Sequence, residues 1–315
     1  MKTIKKGTLI LSGLCALLCL KSFAQPNYPK TPAEAGLIYT DLEHFIEAYN
    51  ELDTNKDTLQ VLQTLYFDRG STGLKEYINR HKLSAELLRD SLRADPGRYA
   101  LLPGFLDSIA ATEQMYKELM QEFSSVLPNA MYPPTYLLVG ANRGIGQASG
   151  VGQLITVTRP VDDRKKLQKI MVHELAHFQQ AMSMGLQKYS SLYSTPHNLL
   201  GMCLREGGAE FVTSLVLGDI TQARSLEFIE KDEALIKSKF LEDLETETQN
   251  QEYWLDAWAV QKEYPKLLGY AMGYKINQAY YEQAADKAIA LQEILRMDDA
   301  EAFVSASGYF KNRDD

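Results

Sequence analysis

The chain has 315 residues, 45% of them apolar and 23% charged, with a formal net charge of −8. That balance describes a folded globular protein and excludes a disordered or fibrous one. The excess of acid speaks against nucleic acid or anionic lipid as the main partner, since both are polyanions.

Lys2, Lys5 and Lys6 form a basic start, and Thr8 to Leu20 form a short apolar run. Ser22-Phe23-Ala24 then offers small residues at the two positions a signal peptidase reads. Residues 1–24 therefore read as a signal peptide cleaved before Gln25. The apolar run is too short to span a bilayer comfortably, so no integral membrane anchor is expected after cleavage. The mature protein is expected to be exported, either periplasmic or secreted. A lipoprotein needs a small residue before its modified cysteine, whereas Cys15 and Cys19 each follow leucine. Loss of four lysines with this segment takes the balance from 33 basic and 41 acidic residues to 29 and 41. Cys203 is then the last cysteine, which leaves no internal disulfide and marks it as a buried core residue.

Residues 25–32 are proline-rich and read as an extended leader. Residues 25–130 form an N-terminal helical region, in which Leu42, Phe45, Ile46 and Tyr49 recur at helical spacing. Ile109, Met115, Leu119 and Phe123 do so less regularly, and Pro96-Gly97 and Pro103-Gly104 punctuate the region. Asp53 to Asp57 faintly resembles the start of a calcium loop. Thr58 and Thr64 stand where such a loop needs glycine and an acid, so a polar turn is the reading.

The texture changes at Pro128, and residues 131–220 read as the chemical core. Thr135 to Gly140 and Leu154 to Thr158 are short β-type runs. The glycine-rich segment between them, Gly140 to Gly150, lacks the Lys-Ser/Thr of a phosphate loop and reads as a turn. Asp162 and Asp163 are candidate caps for a helix running to about Met184 and ending at Gly185. A second helix is predicted from about Asn198 to Leu217, stopping at Gly218. Residues 221–315 form a C-terminal helical region closing a cleft, with turn signals near Pro265 and Gly269.

The first of the two core helices carries His173-Glu174-Leu175-Ala176-His177, an HExxH motif that uses two of the five histidines. Residues four apart share one helical face, so both imidazoles can reach one metal ion. Glu174 projects beside that ion, where a carboxylate can deprotonate water. Catalytic zinc takes three protein ligands and keeps one position open, so another element must supply the third. Arg205-Glu-Gly-Gly-Ala-Glu-Phe211 offers two acids on one face, Glu206 and Glu210, with 28 residues between His177 and Glu206. The small residues Gly207, Gly208 and Ala209 would let this helix pack closely on the HExxH helix.

HExxH followed by Glu-Gly-x-Ala resembles the gluzincin clan of zinc metallopeptidases. The resemblance implies Glu206 as third ligand and gives Glu210 the part of the carboxylate that orients a ligand histidine. Tyr270-Ala-Met-Gly273 is similar to the Tyr-x-x-Gly segment by which the clan's aminopeptidases stabilise an oxyanion. Tyr274, one turn on, is the alternative, and His197 is a third. Tyr66 to Leu74, the glycine-rich strand pair and Gly269 to Lys275 also resemble secreted bacterial proteins predicted to be Zn-dependent proteases. The Gly-x-Met-Glu-Asn segment that grips a substrate N-terminus in the aminopeptidases is missing, which favours an endopeptidase or a narrow-specificity peptidase.

The expectation is a mainly helical α+β protein: a zincin-like metallopeptidase core with a small β-sheet and flanking helices. Its expected function is hydrolysis of a peptide or protein substrate, with Zn2+ as cofactor. The alternative is a non-catalytic zinc-containing envelope protein that binds a peptide or protein partner.

Overall fold

A computed structural model of the chain describes residues 27–52, 57–194, 198–246, 251–255 and 265–311. The signal-peptide reading, most of the Asp53–Asp57 segment and His197 fall outside the described residues.

The chain enters as an extended leader whose Tyr28 is buried edge-on against Phe178, with ring centroids 4.8 Å apart. A short strand, β1 (Leu37–Ile38), precedes helices α1 (Thr40–Glu51), α2 (Thr58–Leu62) and α3 (Thr72–His81). Then come α4 (Ala85–Ala94), α5 (Pro96–Tyr99), α6 (Leu102–Asp107) and α7 (Ile109–Val126). The proline–glycine pairs thus sit at the starts of α5 and α6, where proline's missing N–H costs nothing. Strands β2 (Thr135–Leu138), β3 (Gly146–Ser149) and β4 (Gly152–Thr156) follow. They lead into α8 (Arg164–Met184), α9 (Leu186–Ser194) and α10 (Leu199–Leu217). The C-terminal region adds α11 (Ala223–Lys231), α12 (Glu233–Glu245), α13 (Gln251–Leu255), α14 (Leu268–Gln283), α15 (Lys287–Arg296) and α16 (Ala300–Ser307). The fold is α+β and mainly helical, as expected.

The sheet runs β1-β2-β4-β3, with β1, β2 and β4 parallel and β3 antiparallel at the edge. Every residue of β2 and β4 is buried, as in strands covered on both faces. Helices α1 and α3 pack on β2, while α8 packs on β3 and β4. Two features of the sheet differ from expectation. The N-terminal region contributes β1, and the glycine-rich segment is more than a turn. Asn142 and Gly144, both at positive φ, make the turn, and Gly146–Ser149 then pairs with β4 in the register Gly146↔Ile155. Nothing in Gly-Gln-Ala-Ser has β propensity; β4 imposes the strand by pairing.

Tyrosines from the N-terminal helices fasten this region. The Tyr66 hydroxyl donates to Val139 O at 2.7 Å and accepts from Val139 N at 3.0 Å. Tyr99 donates to Gly140 O at 2.9 Å, and Tyr77 donates to Arg143 O. His81 meets Gln147 of β3 at 2.8 Å. The backbone groups that leave the sheet at the end of β2 are therefore satisfied by side chains.

Helix α8 is capped by Asp163, whose carboxylate accepts from Lys166 N at 2.9 Å, and it ends at Gly185. Helix α10 ends at Gly218 in the left-handed conformation. Its small residues divide their contacts between two helices. Gly208 faces Gln180 of α8, whereas Gly207 faces Gly273 of α14, not the HExxH helix. A Cβ on Gly273 would overlap Cys203 O, so α10 and α14 cross with their backbones in contact. Gly269 lies inside α14 rather than at a turn, and a Cβ there would come within 2.6 Å of the buried Cys203 Sγ.

Tyr66→Phe strands the N–H and C=O of Val139 and should lower unfolding free energy by about 1–3 kcal/mol in urea titrations. Gly273→Ala should lower it further, by about 1–3 kcal/mol beyond Tyr66→Phe, because neither backbone can yield.

Candidate metal centre and cleft

His173 and His177 project from one face of α8, one turn apart, and Glu206 reaches them from α10. His177 Nε2 lies 3.0 Å from His173 Nε2 and 3.0 Å from Glu206 Oε2, and His173 Nε2 lies 3.5 Å from the same oxygen. Ligands of a tetrahedral ion bound at ~2.0–2.2 Å stand roughly 3.4 Å apart, so this triangle fits a zinc-sized cation. All three side chains are buried, and together they can hold a metal ion.

Each ligand is held from behind. Gln180, one turn of α8 further on, places Oε1 2.8 Å from His177 Nδ1, and its Nε2 donates to Arg205 O at 2.8 Å. That second bond fixes which end of the amide faces the imidazole, so Nδ1 carries the proton and Nε2 keeps its lone pair for the ion. Glu210 Oε1 lies 3.1 Å from His173 Nδ1. Glu210 is itself fully buried and accepts from Thr221 N at 2.7 Å and from the Thr221 hydroxyl. Arg205, also fully buried, donates through Nη2 to Glu206 Oε1, leaving Oε2 toward the histidines. Its guanidinium lies over the Tyr189 ring, 5.1 Å from the centroid.

Burial pushes the Glu206 carboxyl up, but Arg205 and the two histidines reverse this and hold it well below the usual range. Burial likewise pushes the His173 imidazole down, yet Glu206 and Glu210 raise it to about 10. Glu174 has no such anion-stabilising arginine. Burial raises its pKa, and the histidines only partly offset this. A backbone N–H of β3, from Ala148, donates to Glu174. Gly146 makes that approach feasible, because a Cβ there would lie 2.6 Å from Glu174 Oε1.

Glu174 and His173 line a cleft of about 700 Å³, with Gly144 and Gly146 on one rim and Tyr270 on another. The Tyr270 ring stacks on His173 at 6.0 Å and 9°. Burial and the neighbouring Glu206 raise its hydroxyl pKa well above the ordinary value, so it is a donor at neutral pH. Tyr274 lies elsewhere, its ring packed on Phe211 at 5.9 Å. Cys203 stays in the core, its thiol pKa raised by burial. The structure thus brings together His173, Glu174, His177, Glu206, Glu210 and Tyr270, and it adds Gln180, Arg205 and Gly146. Gln180 was legible as the residue three positions after His177 on the same face. Arg205 and Gly146 left no signal beyond adjacency to a motif.

To hold a metal ion in this triangle, His173 would have to give up the proton that Glu206 and Glu210 favour on it. Zinc uptake at pH 7 should release close to one proton, read from calorimetry in buffers of different ionisation enthalpy. Apparent affinity should fall about tenfold per pH unit as pH drops, because protons then compete for the imidazole.

The model of a protein family described as Predicted Zn-dependent protease (DUF2268) matches residues 107–304. That span includes both helices that carry the candidate metal ligands, the sheet from β2 onward and Tyr270. No curated protein and no solved structure matches the chain. More than half of the sequence, with the whole buried His-His-Glu cluster inside it, is covered by this match, and the chain belongs to the predicted Zn-dependent protease family.

Proposed function

We propose that the protein is an exported zinc-dependent peptidase of gluzincin type. The observation that carries the reading is the convergence of three buried ligand atoms beside Glu174, on the wall of an open cleft. His173, His177 and Glu206 would hold the ion. A bound zinc supplies a Lewis acid that polarises a carbonyl and makes water acidic. Glu174 takes the proton from water and returns it to the leaving amine, a transfer favoured by the raised basicity that burial gives its carboxylate. Tyr270 donates to the oxygen that gains charge in the transition state. Glu210 and Gln180 keep each imidazole turned with Nε2 inward. Strand β3 is the edge strand of the sheet among the described residues, so the groups on its outer edge that Glu174 does not take can pair with an extended peptide backbone. Lys2 to Ala24 carries the pattern of a cleaved export signal, and no helix among the described residues is long and apolar enough to cross a membrane.

The test compares metal content and peptide-library cleavage in the parent and variants. Glu174→Gln should keep one zinc and lose roughly 10²–10⁴-fold in kcat. Tyr270→Phe should keep zinc and lose roughly 10²-fold or more, whereas Tyr274→Phe should change kcat little. Zinc bound with no cleavage of any library member would replace this reading with the non-catalytic peptide-binding alternative. No zinc in the parent would defeat both.

A further inference from the structure

The wall of the cleft on the N-terminal side of α8 is cationic. Arg159, Lys165, Lys166 and Lys169 line it together with His173 and Glu174, while Asp163 is the other acid in the lining. The gathering is local, because the chain as a whole carries a net charge of −8. An acidic protein repels anions on average, so a cationic cleft wall selects for them at one place.

The charges differ in how committed they are. Lys169 is held by Asp219 Oδ2 at 2.6 Å and by Ile220 O at 3.1 Å. Asp163 spends its carboxylate capping α8. Asp162 lies 4.0 Å from Arg98. Lys165 and Lys166 are exposed; Lys165 acts on Asp219 at longer range, and no carboxylate among the described residues lies within ion-pair distance of either ammonium. The amino end of the α8 dipole adds positive potential at the same place.

Spacing places this charge usefully. Lys166, Ile170, His173 and His177 follow one another at i, i+4, i+7 and i+11, so they share a face of α8. At ~1.5 Å per residue, Lys169 and Lys166 stand about 6 and 10 Å before His173 along the axis. An extended peptide advances ~3.3 Å per residue, so those offsets correspond to roughly two to three residues from the bond over the metal centre.

We propose that this wall binds a substrate carboxylate, so that the peptidase prefers peptides with an acidic group within about three residues of the cleaved bond. The inference rests on the peptidase reading above. Two sources share the chemistry, an Asp or Glu side chain and the free C-terminus of a short peptide.

The experiment uses the zinc-loaded protein and matched peptides: Glu against Gln at each position near the bond, and C-terminal acid against amide. The parent should cleave the acidic members with roughly tenfold or greater kcat/KM, and the preference should shrink as salt rises from 0.02 to about 0.5 M. Reversing charge in the double variant Lys165→Glu/Lys166→Glu should abolish or invert the ratio of acidic to neutral kcat/KM. A preference confined to Glu positions assigns the side chain, and one confined to the C-terminal acid assigns an exopeptidase. Cleavage by the parent that is indifferent to both carboxylates overturns the proposal and leaves the peptidase reading intact. So does a preference that survives the double variant. A parent that binds zinc and cleaves nothing overturns both. Direct binding of the same acidic and neutral peptides to zinc-loaded Glu174→Gln guards against misreading a folding defect, since equal affinities for the two would also sink the proposal.

Discussion

Three buried carboxylates, those of Glu174, Glu206 and Glu210, converge at the candidate metal centre, and their desolvation is the constraint to which the rest answers. An ionised carboxylate taken out of water without partners costs several kcal/mol, far more than any single apolar contact returns. The chain meets the cost differently at each. Glu206 has Arg205 and two imidazoles; Glu210 has Thr221 and lies beside His173. Glu174 has less compensation than Glu206 and keeps the greater avidity for a proton of those two. One helix pair therefore holds an anion suited to a cation beside a carboxylate suited to a proton.

Those partners meet only because the helices come close. Gly207 against Gly273 brings α14 onto α10 with no side chain between, which carries Tyr270 over His173. Asn277 stitches the same crossing, donating to Leu204 O at 3.0 Å and Gly273 O at 2.8 Å. On the other side, Gly146 lets the edge strand approach Glu174. The cleft is defined as much by absent side chains as by present ones.

Much of this was legible in the sequence. The bounds of α8 and α10 followed from Asp163, Gly185 and Gly218, whose capping chemistry is local. HExxH fixed the geometry of two ligands because helical periodicity is rigid, and the acids of α10 stood out as charges in an apolar stretch. What escaped depends on other parts of the chain. Gly146–Ser149 is a strand only because β4 pairs with it, and Gly269 is a contact point only because Cys203 lies opposite. Gly207 was expected against α8 and faces α14 instead, a choice that composition does not make, since small residues permit close approach to anything. Nothing in the sequence marked a polar role for Tyr66 and Tyr77, whose hydroxyls serve a loop more than sixty residues away in sequence.

The parallel pairing of Leu37 with Thr135 joins strands nearly a hundred residues apart. Closing a loop of that length costs about 4 kcal/mol of chain entropy before any ladder bond is made, by the logarithmic scaling of loop closure. Such long-range contacts slow folding, so β1 should be among the last strands to dock. Until it does, β2 presents an open apolar edge, a site for mispairing with another copy. The helices between β1 and β2 are therefore a kinetic liability as well as a support. Folding yield, more than final stability, is the quantity this topology puts at risk.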